Sequence, residues 1–212
     1  MSAGRIFLYG ASGHAKVVAD LVERAGRGKI AFVVDDQAAR QGTTLLGYAV
    51  IGGREALLER RRDVDAGLVA IGDNRVRRAI AEWLAGQGFA FATAIHPSVQ
   101  VGREVRIGNG SVLMAGAVVN SDTTIGAHCI VNTGASVDHD CRLGDGVHVA
   151  PGARLCGGVE VGPGALVGAG AVIPPGRRVG ADAIIGAGAV VLSDVPERAV
   201  VAGNPAQPVR SS

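Results

Sequence analysis

The stretch VDHDCRLGDGVHVAPGARLCGGVEVGPGALVGAGAVI, residues 137 to 173, decides the fold of this chain. An aliphatic residue recurs at every sixth position, and a small residue stands four positions after it, with Arg177 as the bulky exception. All 17 positions of this six-residue repeat are aliphatic: Ile95, Val101, Ile107, Leu113, Val119, Ile125, Val131, Val137, Leu143, Val149, Leu155, Val161, Val167, Ile173, Val179, Ile185 and Val191.

This period predicts a parallel β-helix with three short strands per turn. The aliphatic residue of each hexad points inward, and Gly or Asn turns the corner at positive φ. Seventeen hexads make nearly six turns, which at roughly 4.8 Å per turn stack to a height of about 27 Å. A hexapeptide period is the signature of the left-handed form of this solenoid.

The preceding residues have a different pattern, because apolar runs alternate there with amphipathic stretches. Strands that alternate with helices imply a parallel sheet with helical crossovers. The strands are predicted at 5–10, 29–36 and 65–73, and the helices at 14–26 and 74–88. We therefore predict an α/β Rossmann-like domain over residues 1–94, an all-β left-handed parallel β-helix over 95–196 and a C-terminal segment over 197–212.

Composition excludes several classes of protein. Of the 212 residues 48% are hydrophobic, and the charged 19% sum to a formal net charge of +2, which excludes disorder and a nucleic-acid tail. The 33 glycines and only 3% aromatic residues fit a thin, repetitive architecture. The arginine clusters 60–62 and 75–78 are predicted to be solvated helix faces, so no nucleic-acid partner is expected.

The chain shows no feature of a membrane or secreted protein. It has no run of 18 apolar residues, and its N-terminus lacks the cleavage region of a signal peptide. We therefore expect a cytoplasmic protein without a membrane partner. The three cysteines, Cys129, Cys141 and Cys156, form no CxxC motif and are predicted to be reduced and mostly buried.

The hexad VDHDCR departs from the repeat in a way that suggests catalysis. It places Asp138, His139 and Asp140 where most hexads have Gly or Ala, and the next hexad ends in His148. A histidine beside carboxylates can be held in one tautomer and made more basic, as a general base requires. The alternative is a solvated turn histidine with acids nearby.

Three histidines raise the alternative of a zinc site shared between subunits, as in a hydratase of the gamma carbonic anhydrase type. His128, His139 and His148 follow one another at spacings of 11 and 9. Neither spacing is a multiple of one turn of three hexads, so the three do not stack on one face. No metal site is therefore predicted.

A second candidate site lies in the N-terminal domain. The segment YGASGH follows a strand and opens a helix, so the backbone N–H groups of its turn could hold a phosphate. Ser12 occupies the position of the second glycine in GxGxxG, which favours a nucleotide smaller than a dinucleotide. The two acids after the second strand could meet a ribose or base, or could simply form a turn. The candidate residues are Gly10, Ser12, Gly13, His14, Asp35, Asp36, Gly72, Asn74 and Arg75.

Together these motifs resemble the bacterial sialic-acid O-acetyltransferase-like family of hexapeptide-repeat acyltransferases. Its best understood members are N-acetyltransferases that act on nucleotide-linked 4-amino-4,6-dideoxy sugars. The resemblance covers essentially the whole chain. The segments that carry it are FLYGASGH, VDD, AIGDNR, IHPSV, VNTGASVDHDCRLG and VVAGNPAQPVR.

The resemblance implies roles for individual residues. His139 looks like the general base that takes a proton from the 4-amino group of the sugar, with Asp140 as its polar partner. His148 looks like a contact of the acetyl group, and the backbone N–H of Gly157 looks like the oxyanion donor. The residues that the resemblance assigns to acetyl-CoA are His148, Gly157, Ala169, Ala187, Asn204 and Pro205.

The expected reaction is direct transfer of acetyl from acetyl-CoA to the amine, with no metal. A UDP-linked sugar is favoured, with a GDP-linked sugar as the alternative. Because no long loop leaves the predicted solenoid, its groove must be completed by the N-terminal domain and a neighbouring subunit, which implies a homotrimer with active sites between subunits. The other functions left open are acetylation of a sialic acid or another sugar on oxygen, a zinc-dependent hydratase and a catalytically silent nucleotide-binding scaffold.

Overall fold

The computed structural model describes residues 4–26 and 28–209 and divides into two compact units between Pro97 and Ser98. The predicted boundary lies slightly earlier, after Ala94. The N-terminal unit has strands β1 (Gly4–Tyr9), β2 (Gly28–Val34), β3 (Thr44–Leu45), β4 (Tyr48–Ala49), β5 (Ala66–Val69) and β6 (Ala94–Ile95), helices α1 (Gly13–Ala25), α2 (Arg54–Glu59) and α3 (Asn74–Gly86), and 3-10 turns at Ala38–Arg40 and Arg61–Asp63.

Strands β1, β2 and β5 form the parallel sheet of this unit, in the order β2-β1-β5. The Rossmann-like prediction is confirmed, whereas the hairpin β3-β4 and helix α2 were not predicted. Helix α1 buries Val18 and Leu21 and ends at Ala25, and the C-cap residue Gly26 has a φ of 63°, which suits a glycine. Helix α3 begins after Asp73, whose carboxylate accepts the Val76 N–H at 2.8 Å.

One prediction for helix α3 is wrong. Arg77 belongs to a cluster expected to be a solvated face, yet it is only 1% exposed. Its guanidinium donates to the carbonyl oxygens of Ile71 and Gly72 and to the side chain of Asn74. These acceptors compensate for burial of the charge and tie the helix to the loop that follows β5.

The C-terminal unit is a parallel β-helix, as the hexads predict. Its strands are β7 (Gln100–Val101), β8 (Arg106–Ile107), β9 (Val112–Leu113), β10 (Val118–Val119), β11 (Thr124–Ile125), β12 (Ile130–Val131), β13 (Ser136–Val137), β14 (Arg142–Leu143), β15 (His148–Val149), β16 (Arg154–Leu155), β17 (Glu160–Val161), β18 (Leu166–Val167), β19 (Val172–Ile173), β20 (Arg178–Val179), β21 (Ile184–Ile185), β22 (Val200–Ala202) and β23 (Gln207–Pro208).

These strands stack into three faces. The first face contains β9-β12-β15-β18-β21-β22-β23, the second contains β7-β10-β13-β16-β19, and the third contains β8-β11-β14-β17-β20. From β7 to β21, paired residues lie one turn of three hexads apart, as Ser136 pairs with Val118 and His148 with Ile130. Strand β23 alone runs antiparallel, against β22.

The hexad aliphatic residues from Leu113 to Val191 are buried and form the interior of the solenoid. The prediction is wrong at the start of the repeat, because Val101 is 45% exposed. The physical reason is that β7 is the end strand of the second face, so no earlier strand of that face covers it.

Two kinds of position explain the glycine content. The residue three positions after the aliphatic one turns the corner at positive φ, and charged residues occupy some of these positions, as at Asp140 (φ 58°) and His128 (φ 55°). Glycine directly after the aliphatic residue has another cause: a Cβ on Gly108 would lie 2.5 Å from the carbonyl carbon of Gly126 in the next turn. The prediction of Gly or Asn at positive φ is therefore too narrow.

All three cysteines are free; Cys129 and Cys141 are buried and Cys156 is half-buried. No helix within residues 4–26 and 28–209 is both long and apolar enough to span a bilayer.

Candidate active site

The catalytic candidates lie on one edge of the β-helix, between its second and third faces. We call this edge the His139 corner, and successive turns contribute Arg103, Ser121, His139, Gly157 and Pro175 to it. The backbone joins the turns, since the Gly158 N–H donates to the His139 carbonyl at 2.9 Å and the Asp140 N–H donates to the Ser121 carbonyl at 3.1 Å. Residues one turn apart therefore contact each other here.

His139 and Asp140 form a hydrogen-bonded pair. The Nδ1 atom of His139 lies 2.7 Å from Oδ2 of Asp140, and the two side chains are 62% and 67% exposed. The hydrogen bond that His139 donates to Asp140, together with the negative charges of Asp138 and Asp140, raises the pKa of His139 above its ordinary value. A neutral His139 that donates from Nδ1 to the carboxylate presents Nε2 as the basic atom.

The backbone of His139 is held as well. Oδ1 of Asp138 accepts the His139 N–H at 2.9 Å and the side-chain amide of Asn120 at 2.8 Å. These two donors, Asn120 first, lower the pKa of Asp138 and keep the carboxylate ionised. Asn120 was not identified from the sequence, although it lies one full turn of the solenoid before Asp138.

Gly157 lies directly against the imidazole. A Cβ at this position would come within 2.5 Å of Cε1 and 2.6 Å of Nε2 of His139, so only glycine leaves the ring in place. The Gly157 carbonyl accepts the N–H of Gly176 at 3.0 Å, whereas none of the hydrogen bonds among the described residues uses the Gly157 N–H. The role of that N–H as an oxyanion donor stays a prediction.

His148 lies elsewhere, at the start of β15 on the first face. Its Nε2 is 3.1 Å from the side-chain nitrogen of Asn132. Because the Asn132 side-chain oxygen accepts the Thr133 N–H at 2.8 Å, its NH₂ group is the donor to His148. Neutral His148 then carries its proton on Nδ1. Asn132 was not identified from the sequence either, because its distance from His148 along the chain falls short of one full turn.

Most residues assigned to acetyl-CoA gather on the edge between the first and second faces. We call it the alanine corner; Ala169 and Ala187 follow one another there, since the Gly188 N–H donates to the Ala169 carbonyl at 2.8 Å. Asn204 and Pro205 extend the corner, because the flanking Gly203 and Ala206 both hydrogen-bond to Val190.

Within one chain the predicted catalytic residues are therefore divided. His139, Asp140 and Gly157 occupy the His139 corner, whereas Asn132 and His148 lie at and next to the alanine corner. The second face separates the two edges, and at about 3.3 Å per residue its width is roughly 15 Å. A single chain cannot bring both histidines to one acetyl group.

The three histidines considered as zinc ligands are also dispersed. His128 turns the edge between the third and first faces, His139 lies on the edge between the second and third faces, and His148 lies on the first face. In the described part of the chain, no three His, Cys, Asp or Glu side chains are grouped so as to hold a metal ion.

The nucleotide-binding candidates meet at the carboxyl edge of the N-terminal sheet. Gly10, with a φ of 112°, follows β1, and Asp35 follows β2. The Asp35 carboxylate accepts the Ala11 N–H at 2.7 Å and the Gln37 N–H at 2.9 Å. Arg40 donates to the Ala11 carbonyl, and its Nε lies 3.9 Å from Oδ2 of Asp35. Asp35 and Arg40 thus hold the turn that begins at Gly10.

The other acid, Asp36, belongs to a separate cluster. The hydroxyl of the buried Tyr9 lies 2.8 Å from both carboxylate oxygens of Asp36. The Nε atom of Arg54 lies 3.8 Å from Oδ2 of the same carboxylate. Burial, followed by this hydrogen bond, raises the pKa of Tyr9 well above its ordinary value. The Cζ atom of Arg54 also lies 4.6 Å from the centroid of the Trp83 ring, so Trp83 contacts a cation in this cluster.

The loop after β5 completes this edge. His14, in the first turn of α1, packs against Gly72, and burial together with the Arg77 charge lowers the pKa of His14 to about 4. His14 is therefore neutral at pH 7. The Ser12 side chain makes no capping hydrogen bond to α1, whose first turn also includes Gly13. Asn74 bonds to Arg77, and Arg75 is exposed.

The hydrogen bond between His139 and Asp140 leads to a prediction that can be tested without substrate. Asp140→Asn removes the main cause of the raised pKa of His139, so that pKa should fall toward 6.5. Nuclear magnetic resonance titration of the histidine ring measures this directly. Asp122→Asn, one turn earlier on the same corner, is the control and should shift the pKa less; an unchanged His139 pKa in Asp140→Asn would contradict the prediction.

A histidine–carboxylate pair on the edge of a hexapeptide solenoid, with a glycine N–H beside the imidazole, defines an acyltransferase class of site. The comparisons agree. Residues 5–84 match the PglD N-terminal domain, and residues 122–157 and 158–193 match the bacterial transferase hexapeptide repeats. The chain belongs to the acetyl-CoA-dependent sugar N-acetyltransferases that combine these two parts, which confirms the resemblance seen in the sequence.

Solved structures cover nearly the whole chain. A histidine-to-asparagine mutant of perosamine N-acetyltransferase from Caulobacter crescentus, in complex with CoA and GDP-perosamine, is 41% identical over 99% of both chains, with a TM-score of 0.94. The acetyltransferase domain of PglB from Neisseria gonorrhoeae, in complex with acetyl coenzyme A, is 39% identical over 98% of this chain and 100% of that one, with a TM-score of 0.90.

A curated relative matches over a shorter length. UDP-N-acetylbacillosamine N-acetyltransferase from Bacillus subtilis is 40% identical over 112 residues, or 52% of this chain and 51% of the relative. The alignment thus spans about half the length of that protein.

Proposed function

We propose that this protein transfers acetyl from acetyl-CoA to the 4-amino group of a nucleotide-linked 4-amino-4,6-dideoxy sugar. The observation that carries the proposal is the contact of the His139–Asp140 pair with Gly157 on one corner. The solved relatives bound to CoA, acetyl-CoA and GDP-perosamine support it.

The chemistry follows from these atoms. Attack of the neutral amine on the thioester carbonyl forms a C–N bond and a tetrahedral oxyanion, to which the Gly157 N–H donates. Nε2 of His139 takes the proton that the nitrogen loses, and Asp140 stabilises the resulting imidazolium. Collapse breaks the C–S bond, and the departing thiolate takes the proton held by the His139 imidazolium, which releases the CoA thiol and restores the neutral base. No acyl-enzyme is needed, which agrees with the burial of Cys129 and Cys141.

Each catalytic centre is proposed to lie between two subunits of a homotrimer. The His139 corner of one subunit would meet the Asn132–His148 pair and the alanine corner of its neighbour. The outward residues support the first face as the contact surface, since Ile184 and Val200 there are apolar and about 40% exposed. The third face instead presents the charged Arg142, Glu160 and Arg178.

Subunit sharing predicts complementation. His139→Ala and His148→Ala should each be inactive alone, yet co-expressed chains should recover about a quarter of the wild-type sites, because each half-site is intact half of the time. Thiol release from acetyl-CoA measures the recovery. Co-expression of His139→Ala with Gly157→Ala is the matched control and should not exceed the residual activity of Gly157→Ala alone, because both changes damage the same corner. Failure of the first mixture to exceed the control would exclude shared sites.

The N-terminal unit is proposed to hold the nucleotide at the edge formed by Gly10–His14, Asp35, Asp36 and Gly72. Two nucleotides are considered, since one relative is named for a UDP-sugar and another is bound to GDP-perosamine. We favour uridine diphosphate, as the resemblance seen in the sequence does, with guanosine diphosphate as the alternative. The test is thiol release with UDP- and GDP-linked 4-amino-4,6-dideoxy sugars and free sialic acid. Turnover on neither nucleotide sugar would overturn the proposed function.

The zinc alternative gives a separate prediction. Acetyl transfer should be unchanged within error after dialysis against a strong chelator, because the proposed chemistry uses His139 and a backbone N–H in place of a Lewis acid. Metal analysis of the dialysed protein serves as the control. Loss of activity that returns when zinc is added would contradict the prediction.

A further inference from the structure

Two polar side chains bridge successive turns of the His139 corner. The Asn120 amide donates to Oδ1 of Asp138 at 2.8 Å, and the same oxygen accepts the His139 N–H at 2.9 Å. Both residues are anchored by the ladder, since the Asn120 N–H donates to the Val137 carbonyl and the Asp138 N–H to the Leu155 carbonyl, each at 2.9 Å. The bridge therefore connects His139 to rigid backbone on either side.

The sequence departs from the repeat at these two positions. Other hexads commonly have glycine directly after the aliphatic residue, as at Gly102, Gly126 and Gly144, and glycine cannot form such a bridge. His139 is the residue that benefits, because its largely exposed ring has little packing to hold it at the tip of the corner. A base with few packing contacts depends on hydrogen bonds for its position.

We infer that Asn120 and Asp138 are positioning residues, which hold the backbone of His139 so that its imidazole stays between Asp140 and Gly157. The inference rests on the proposed function for the role of His139. Asn120 acts only through Asp138, whose Oδ1 accepts both the Asn120 amide and the His139 N–H, and is therefore not itself a catalytic residue.

Several charged groups lie near His139, so an experiment must distinguish the effect of their charge from the effect of the position of the imidazole. Asp138 and Asp140 are its neighbours on the corner, and the turn after it contributes the uncharged Gly157. Asp122 and Arg142 line a cavity of about 330 Å³ together with Asp140. Asn120 is the informative member of the pair, because its removal leaves all of these charges in place.

The kinetic experiment compares three variants. In Asn120→Ala, kcat for acetyl transfer should fall roughly tenfold, and in Asp138→Ala by more, while KM for acetyl-CoA stays within about twofold, since displacement of a base by about 1 Å can cost 100-fold in rate. The matched control is Asp145→Ala, which removes a similar bond to the Ala127 N–H, 2.7 Å long, on another edge. Its kcat should equal that of wild type.

A second measurement is independent of turnover. Nitrogen-15 spectra of histidine-labelled protein report the tautomer populations and pKa of His139. In Asn120→Ala the Nδ1–H tautomer should lose population and the His139 pKa should fall toward its ordinary value, because a displaced imidazole loses the hydrogen bond to Asp140. Every nearby charge stays in place, so a purely electrostatic role would leave both unchanged. Wild-type kcat together with unchanged tautomers in Asn120→Ala would overturn the inference, as would an equal loss of kcat in Asp145→Ala. If wild type acetylates no sugar, the proposed function fails separately and the spectra alone decide.

Discussion

His139→Asn should lower kcat for acetyl transfer by about a thousandfold, because a positioned general base contributes roughly 100- to 10,000-fold. Asparagine can still hydrogen-bond to Asp140 but cannot take the proton that the amine loses. Since His139 is exposed at a corner, the fold should be intact, with the melting temperature within about 2 °C of wild type. Thiol release and thermal unfolding measure the two effects.

The variant should also bind acetyl-CoA with nearly wild-type affinity, which calorimetry can measure. This control separates loss of the base from loss of the cofactor. Retention of a tenth or more of wild-type kcat would mean that solvent removes the proton and that His139 has another role.

Gly157→Ala should lower kcat by roughly 100-fold without unfolding the protein. The φ of Gly157 lies outside the left-handed region, so alanine fits the backbone, and the three atoms nearest to the added Cβ all belong to the ring of His139, at 2.5 to 3.2 Å. An exposed imidazole can swing away at small cost, so the base moves and the β-helix does not. Displacement of a reacting group by about 1 Å accounts for an effect of this size.

Gly86→Ala is the matched control for this substitution, because no atom lies within 4 Å of a Cβ built at the end of α3. It should leave kcat unchanged and should keep or slightly raise the melting temperature, because alanine is a better helix former than glycine. A Gly157→Ala protein with wild-type kcat would show that the contact between Gly157 and His139 does not constrain the reaction.

The sequence predicted those features that depend on neighbours along the chain. The hexad period determines the solenoid because burial repeats with the same period, and Asp140 follows His139 directly, so their contact needs no tertiary information. Gly157 and Asn120 lie one turn from their partners, and the register of three hexads per turn could have indicated both contacts. The resemblance to a known family indicated only the first.

Other features needed the folded structure. The pairing of Asn132 with His148 depends on how one face presents its outward side chains, and no period in the sequence describes it. Arg77 looks like a residue on a solvated helix face because its acceptors, Ile71 and Gly72, belong to a loop whose path cannot be predicted from periodicity. The separation of His139 from His148 likewise emerges only once the three faces are assigned.

From β7 to β21, each turn of the β-helix has the same number of residues and adds the same height, so chain length fixes distances along the solenoid. Levels along its edges are spaced by about 4.8 Å, and a change in chain length preserves the order of the faces only if it adds or removes a whole turn. Loss of one hexad between Gly157 and Asn204 would rotate the Asn204–Pro205 segment to a different edge, whereas loss of three hexads would bring it one level nearer. Under the proposed function, the distance along the solenoid that is available to the acetyl donor can therefore change only in steps of one turn, or about 4.8 Å.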